Sequence, residues 1–87
     1  MVEASIIEER LREAFPEAVH IAIEDLTGTK DHYSAMIAAP EFENKNRIEQ
    51  HKLVYAALGE LMDGAIHALS LQTFTPGGWA ARGQSII

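Results

Sequence analysis

Four histidines, at positions 20, 32, 51 and 67, are the side chains in this sequence best suited to bind a metal or move a proton near neutral pH. There is no cysteine. Disulfide scaffolds, thiol nucleophiles, zinc ribbons and an iron-sulfur site built by this chain alone are therefore closed, and any cluster must borrow its thiolates. Asp31 beside His32 is the best acid-base pair that can be assembled, and it lacks a nucleophile at telling spacing, so the chain does not read as an enzyme. Lys45, Arg47 and Lys52 could meet phosphates or an acidic partner, although a solvated helix face is the simpler account of such a charge cluster. Thirteen acidic residues against seven basic ones give a net charge of -6, which repels nucleic acid unless the bases gather on one face.

The elements that position these residues follow from periodicity. Ser5 and Glu8 have capping-box spacing, and Ile7, Leu11, Ala14 and Phe15 then form one helical stripe that Pro16 ends. From Ala18 the period becomes two, with Val19, Ile21 and Ile23 on one side and His20, Ala22 and Glu24 on the other. A turn over 27–31 leads into a second strand over 32–38, and an antiparallel hairpin is the simplest connection. Asn46 with Glu49 repeats the capping logic and predicts a helix over 46–62, stopped by Gly64. Its apolar face would carry Ile48, His51, Val54, Tyr55, Leu58 and Met62, which makes His51 a packing residue. A last strand over 66–74 puts His67, Leu69, Leu71 and Thr73 on one parity, but both of its faces are fairly apolar. Read on spacing alone, His67 is more readily a strand residue satisfied by a backbone carbonyl than a ligand, and His20 is a solvent-facing one.

The order helix, strand, strand, helix, strand predicts a two-layer α+β domain in which the crossover through 46–62 makes one pair of a mixed three-stranded sheet parallel. Thr75-Pro76 predicts a short terminal helix through Trp79, with 80–87 expected to fray. A chain of 87 residues has room for one core, so a single domain over 1–87 with an ordered part over 5–79 is expected. No run reaches the roughly 18 apolar residues of a membrane helix, and a cytoplasmic protein is the expectation.

Four ordered motifs add a resemblance. Asp31-His32-Tyr33, Gln50-His51-Lys52-Leu53-Val54-Tyr55, Ile66-His67-Ala68-Leu69 and Thr75-Pro76 with Trp79 together resemble the BolA-like family over nearly the whole chain. The resemblance implies a fold similar to the type II KH domain and a partnership with monothiol glutaredoxins in iron-sulfur trafficking or iron sensing. It also implies that His67 is a cluster ligand and His32 the second candidate. A [2Fe-2S] cluster with two imidazoles on one iron and two thiolates on the other is a known arrangement. A glutaredoxin cysteine and glutathione would supply the sulfur half. Ligation requires neutral imidazole, so it should weaken below about pH 6.5. The alternative is a KH-like nucleic-acid-binding transcriptional regulator acting through Lys45, Arg47 and Lys52, a role also attributed to bacterial relatives. The Gly-x-x-Gly loop that KH modules use is absent. The family helix often begins with a Phe-x-Gly-Lys-Ser segment, and here Phe42-Glu43-Asn44-Lys45-Asn46 puts asparagine in place of the glycine. Alone, the protein is expected to be a monomer or weak dimer.

Overall fold

The computed structural model describes residues 2–84. Helix α1 (Ala4–Ala14) precedes strands β1 (His20–Asp25) and β2 (His32–Ala38), followed by helix α2 (Arg47–Leu58), strand β3 (Ala68–Phe74) and helix α3 (Pro76–Gln84). The sheet order is β1-β2-β3, with β1 antiparallel and β3 parallel to β2. This is the mixed three-stranded sheet expected of a β-α-β crossover.

Alternation decides which sheet face is covered. Ile21, Tyr33, Ala35 and Ile37 are buried, with Leu69 and Leu71 packed at their edge, while Ala22, Glu24, Ser70 and Gln72 are exposed. Helices α1 and α2 lie on the apolar face, α1 against β1 and α2 against β3. Ile7 and Leu11 from α1, with Phe15 at its C-cap, meet Val54 and Leu58 from α2 and Phe42 from the connecting 3-10 turn. Phe15 and Phe42 pack with ring centres 5.1 Å apart. Fully burying side chains of this size contributes about 1.5–3 kcal/mol each.

Several expectations shift. The first helix starts one residue before Ser5, with Glu3 as an N-cap that makes no side-chain capping bond, and Ala14 is exposed. The Asn46–Glu49 capping box is present with both reciprocal bonds, at 3.0 and 2.9 Å. However, α2 stops at Leu58, where Gly59 adopts φ 52° and passes the chain into a 3-10 segment, Gly59–Asp63. Only a residue without Cβ takes that conformation cheaply. The helix is also rotated from the predicted stripe. Ile48 is 68% and Tyr55 41% exposed, while Leu53, Val54, Ala57 and Leu58 face the core.

The last strand begins at Ala68, because the N–H groups of His67 and Ala68 both reach the carbonyl of Asp31, at 2.7 and 3.1 Å. This doubled contact breaks the alternation. Ile66 is buried and His67 exposed, although His67 shares the parity of the core-facing Leu69. The tail expected to fray from residue 80 is helical through Gln84, anchored by Trp79 and Arg82, and 85–87 lie outside the described residues. His20, expected to face solvent, is half-buried and stacks on Trp79 at 4.3 Å. No helix among the described residues is long and apolar enough to cross a membrane.

Candidate functional site

The hairpin turn and the start of β3 converge at one end of the sheet. Asp25 organises the turn by accepting the N–H groups of Thr27 and Gly28 on one carboxylate oxygen and that of Lys30 on the other. That folding delivers His32 to the first position of β2 with Asp31 just before it, and parallel pairing sets His32 opposite Ala68. His67 is thereby one residue before the partner of His32. Their rings face each other with centres 5.0 Å apart and planes inclined by 48°.

Asp31 joins the two. Its Oδ1 accepts the Thr29 hydroxyl and lies 2.9 Å from Nδ1 of His32, while its main-chain carbonyl accepts the amides of His67 and Ala68. The Thr29 hydrogen bond, then the His32 contact, hold the Asp31 carboxyl below the usual aspartate range. A carboxylate on Nδ1 favours the tautomer with its proton there and leaves Nε2 of His32 as a lone-pair donor, the arrangement common behind metal-binding imidazoles. His67 is exposed and His32 partly so, so both rings are accessible from solvent.

This spacing suits one metal ion between two imidazoles. His32 and His67 would hold such an ion together, each supplying one lone pair from a neutral ring nitrogen. Among the described residues no third His, Asp or Glu completes a metal-binding group. These two imidazoles could therefore supply no more than half of a four-coordinate set.

The basic residues occupy a different place. Lys45, Arg47 and Lys52 are exposed and belong to no ion pair among the described residues, whereas Arg10, Arg12 and Lys30 are paired with Glu60, Glu8 and Glu3. Arg47 opens α2 and lines a groove with residues 70–74 of β3. The groove runs along residues 70–74 of β3, and His67, just before the strand, does not line it. His51, expected to be a packing residue, is half-buried and lines that groove. Burial, and then the neighbouring Arg47, lower its pKa below the ordinary 6.5. Sequence spacing missed this because α2 is rotated from the predicted stripe.

Comparison with known proteins follows the same pattern. The family model for BolA-like proteins matches residues 3–78. Protein RP812 of Rickettsia prowazekii is 38% identical over 74 residues, covering 85% of this chain and 95% of the relative. A Haemophilus influenzae protein named DNA-binding transcriptional regulator BolA is 30% identical, covering 93% of this chain and 84% of its own length. Among solved structures, a Bol-like protein from Babesia bovis superposes with a TM-score of 0.85 at 33% identity and 95% coverage of both chains.

Proposed function

This chain belongs to the BolA-like family, and from that premise we propose that it partners a monothiol glutaredoxin by co-ligating a shared [2Fe-2S] cluster, in iron-sulfur trafficking or iron sensing. The observation that carries this reading is the pairing of His32 and His67, 5.0 Å between ring centres on one solvent-accessible end of the sheet. Two neutral imidazoles suit one iron of such a cluster. A chain without cysteine needs the thiolates of a glutaredoxin and glutathione for the other iron. Asp31 supports the reading because it orients His32 from behind and fixes the main chain at His67.

The test is reconstitution with a monothiol glutaredoxin, glutathione, ferrous iron and sulfide. A heterodimer should form whose visible absorption and circular dichroism differ from those of the glutaredoxin homodimer, and His67→Ala should return the homodimer spectrum. Spectra that do not change on adding this chain, or a His67→Ala variant indistinguishable from the parent, would refute it.

A second reading, nucleic-acid binding, is favoured by Lys45, Arg47 and Lys52, which form no ion pair among the described residues, and by the name of the Haemophilus relative. Its mark is affinity that falls steeply with salt and drops when these three bases are replaced. Undetectable binding at low salt would remove it.

A further inference from the structure

Strand β3 is an edge of the sheet, and five consecutive residues of it, 70–74, line a groove of about 560 Å³ beside α2. Successive side chains of a strand point to opposite faces, so a groove that touches both parities opens on the strand's outer edge. The main-chain pattern agrees. The Ala68 amide donates to the Asp31 carbonyl and the Phe74 carbonyl accepts the Ala39 amide, so the even-numbered residues of β3 turn their N–H and C=O groups toward β2. Those of Leu71 and Thr73 therefore point out into the groove. The hydrogen bond from β3 to α2 joins side chains, the Thr73 hydroxyl and Gln50 at 2.5 Å, and leaves these main-chain groups unused among the described residues. Exposed edges are ordinarily blunted by charge or proline, because they template pairing with another chain. Over 68–74, β3 has no charged residue and no proline, whereas β1 at the other edge ends in Glu24 and Asp25.

We propose that this edge docks an extended acidic peptide of another protein, which adds to the sheet as a fourth strand beside β3. In strand addition the main-chain pairing supplies affinity and the flanking side chains supply selection. Here the selecting wall is α2. Arg47 lines the groove from the first turn of that helix and forms no ion pair among the described residues. An acidic residue would be more stable at a helix N-terminus, so the cation there does not serve the helix. No carboxylate lines the groove in a chain with thirteen acidic residues, and a peptide carboxylate would meet Arg47 without competition. Arg82 closes the groove against the Phe74 and Trp79 rings, and its charge is not called upon. Ile48, 68% exposed, and Tyr55, 41% exposed, stand three residues before and four after His51, on the side of α2 that borders the groove. They offer apolar contact to side chains between the acidic ones. A second copy of this chain fits less well. It would bring the same carboxylate-free groove, leaving each Arg47 without a partner, and its net charge of -6 adds repulsion. The inference rests on neither the cluster nor the nucleic-acid reading, since His67 does not line the groove.

The experiment is an NMR titration of the full chain at pH 7.5 with an acetylated eight-residue peptide that alternates threonine or valine with glutamate. Three companions run beside it: the same peptide with lysine for glutamate, its fully N-methylated form, which donates no main-chain hydrogen bond, and a single-stranded oligonucleotide. The glutamate peptide should give saturable shifts in residues 47–51 and 70–74 and slow amide hydrogen exchange at Leu71 and Thr73. Arg47→Glu, which suits a helix N-terminus and so should fold, should weaken that peptide about fivefold and favour the lysine one, the effect of one partly exposed ion pair. His67→Ala should bind the peptide like the parent, which separates this site from loss of a cluster. The proposal is overturned if the glutamate peptide gives no saturable shift at millimolar concentration, if the N-methylated form binds equally well, or if Arg47→Glu leaves the preference unaltered. Concentration-dependent shifts in 70–74 without peptide would make a second copy the occupant. Oligonucleotide binding at these residues with the peptide silent would assign the groove to nucleic acid. Either result overturns it as well.

Discussion

Asp31 holds His67 by its main chain and His32 by its side chain: its carbonyl accepts the His67 amide at 2.7 Å, and its Oδ1 lies 2.9 Å from Nδ1 of His32. One residue therefore sets both the register of β3 and the orientation of a ring on β2. The two roles can be separated, because substitution of the side chain leaves the carbonyl in place. Asp31→Asn should keep the fold and both main-chain hydrogen bonds while losing the carboxylate that fixes the His32 tautomer. Loss of such a support behind a metal-binding imidazole typically weakens metal affinity about 10–100-fold. Competition with a chelator, followed by the visible absorption of the reconstituted heterodimer, measures this directly. Equal retention of the cluster by Asp31→Asn and the parent would show that the carboxylate does not orient the ligand.

The pH dependence of stability should carry the signature of His51. Its pKa in the folded state is depressed, first by burial and then by Arg47, so folding favours the neutral ring. The unfolded chain then binds the proton more readily, and stability rises with pH across the interval. The contribution is complete above the unfolded value of about 6.5 and is lost as pH falls from there through the depressed folded value. Asp31 and Glu60, both shifted down by hydrogen bonds, act in the same direction but only within the acidic carboxylate range. Urea denaturation at pH 8, 6 and 5 should therefore show a decline that His51→Gln flattens. A parent-like slope in that variant would place the effect elsewhere.

The two capping-box patterns in the sequence differ in consequence. Asn46 and Glu49 exchange reciprocal hydrogen bonds at the start of α2, so Asn46→Ala should cost about 1 kcal/mol. Ser5, in contrast, is inside α1 rather than at its cap, and Ser5→Ala should change stability by less than about 0.5 kcal/mol. Denaturation midpoints of the two variants, measured side by side, decide the matter. Equal losses would mean that the start of α1 is placed differently in solution.

Strand and helix order were legible because the hairpin alternates with period two and the crossover length forces a parallel pair. The face of α2 was not legible, because Ile48 and Tyr55 fit the predicted stripe as well as the residues that are buried. Packing against α1 and β3 selected Leu53 and Ala57 instead. His67 was misplaced by parity for a related reason. The shared Asp31 carbonyl interrupts alternation at the strand entry, a long-range effect that no local period encodes. His32 and His67 are 35 positions apart, and only the family motifs suggested pairing them. The groove was illegible until α3 proved longer than expected and brought Arg82 beside Arg47 and His51.

Asn44 shows how a departure from the family motif is accommodated. It stands where the family often has glycine, and its φ is 62°, in the left-handed region. Glycine takes that conformation without strain, and asparagine is the ordinary side chain that visits it most readily. The loop between the 3-10 turn and α2 therefore keeps its path, and Lys45 can still offer its carbonyl to Gln50 at 2.9 Å. Asn44→Gly should then be within about 0.5 kcal/mol of the parent, because easier backbone geometry is offset by greater unfolded-state entropy. Asn44→Val should cost about 2 kcal/mol, since a β-branched residue is strained at positive φ. Thermal and urea unfolding of both variants give the comparison. If Asn44→Val were neutral, the loop would not hold the left-handed conformation in solution, and the start of α2 would have to be reached by another path.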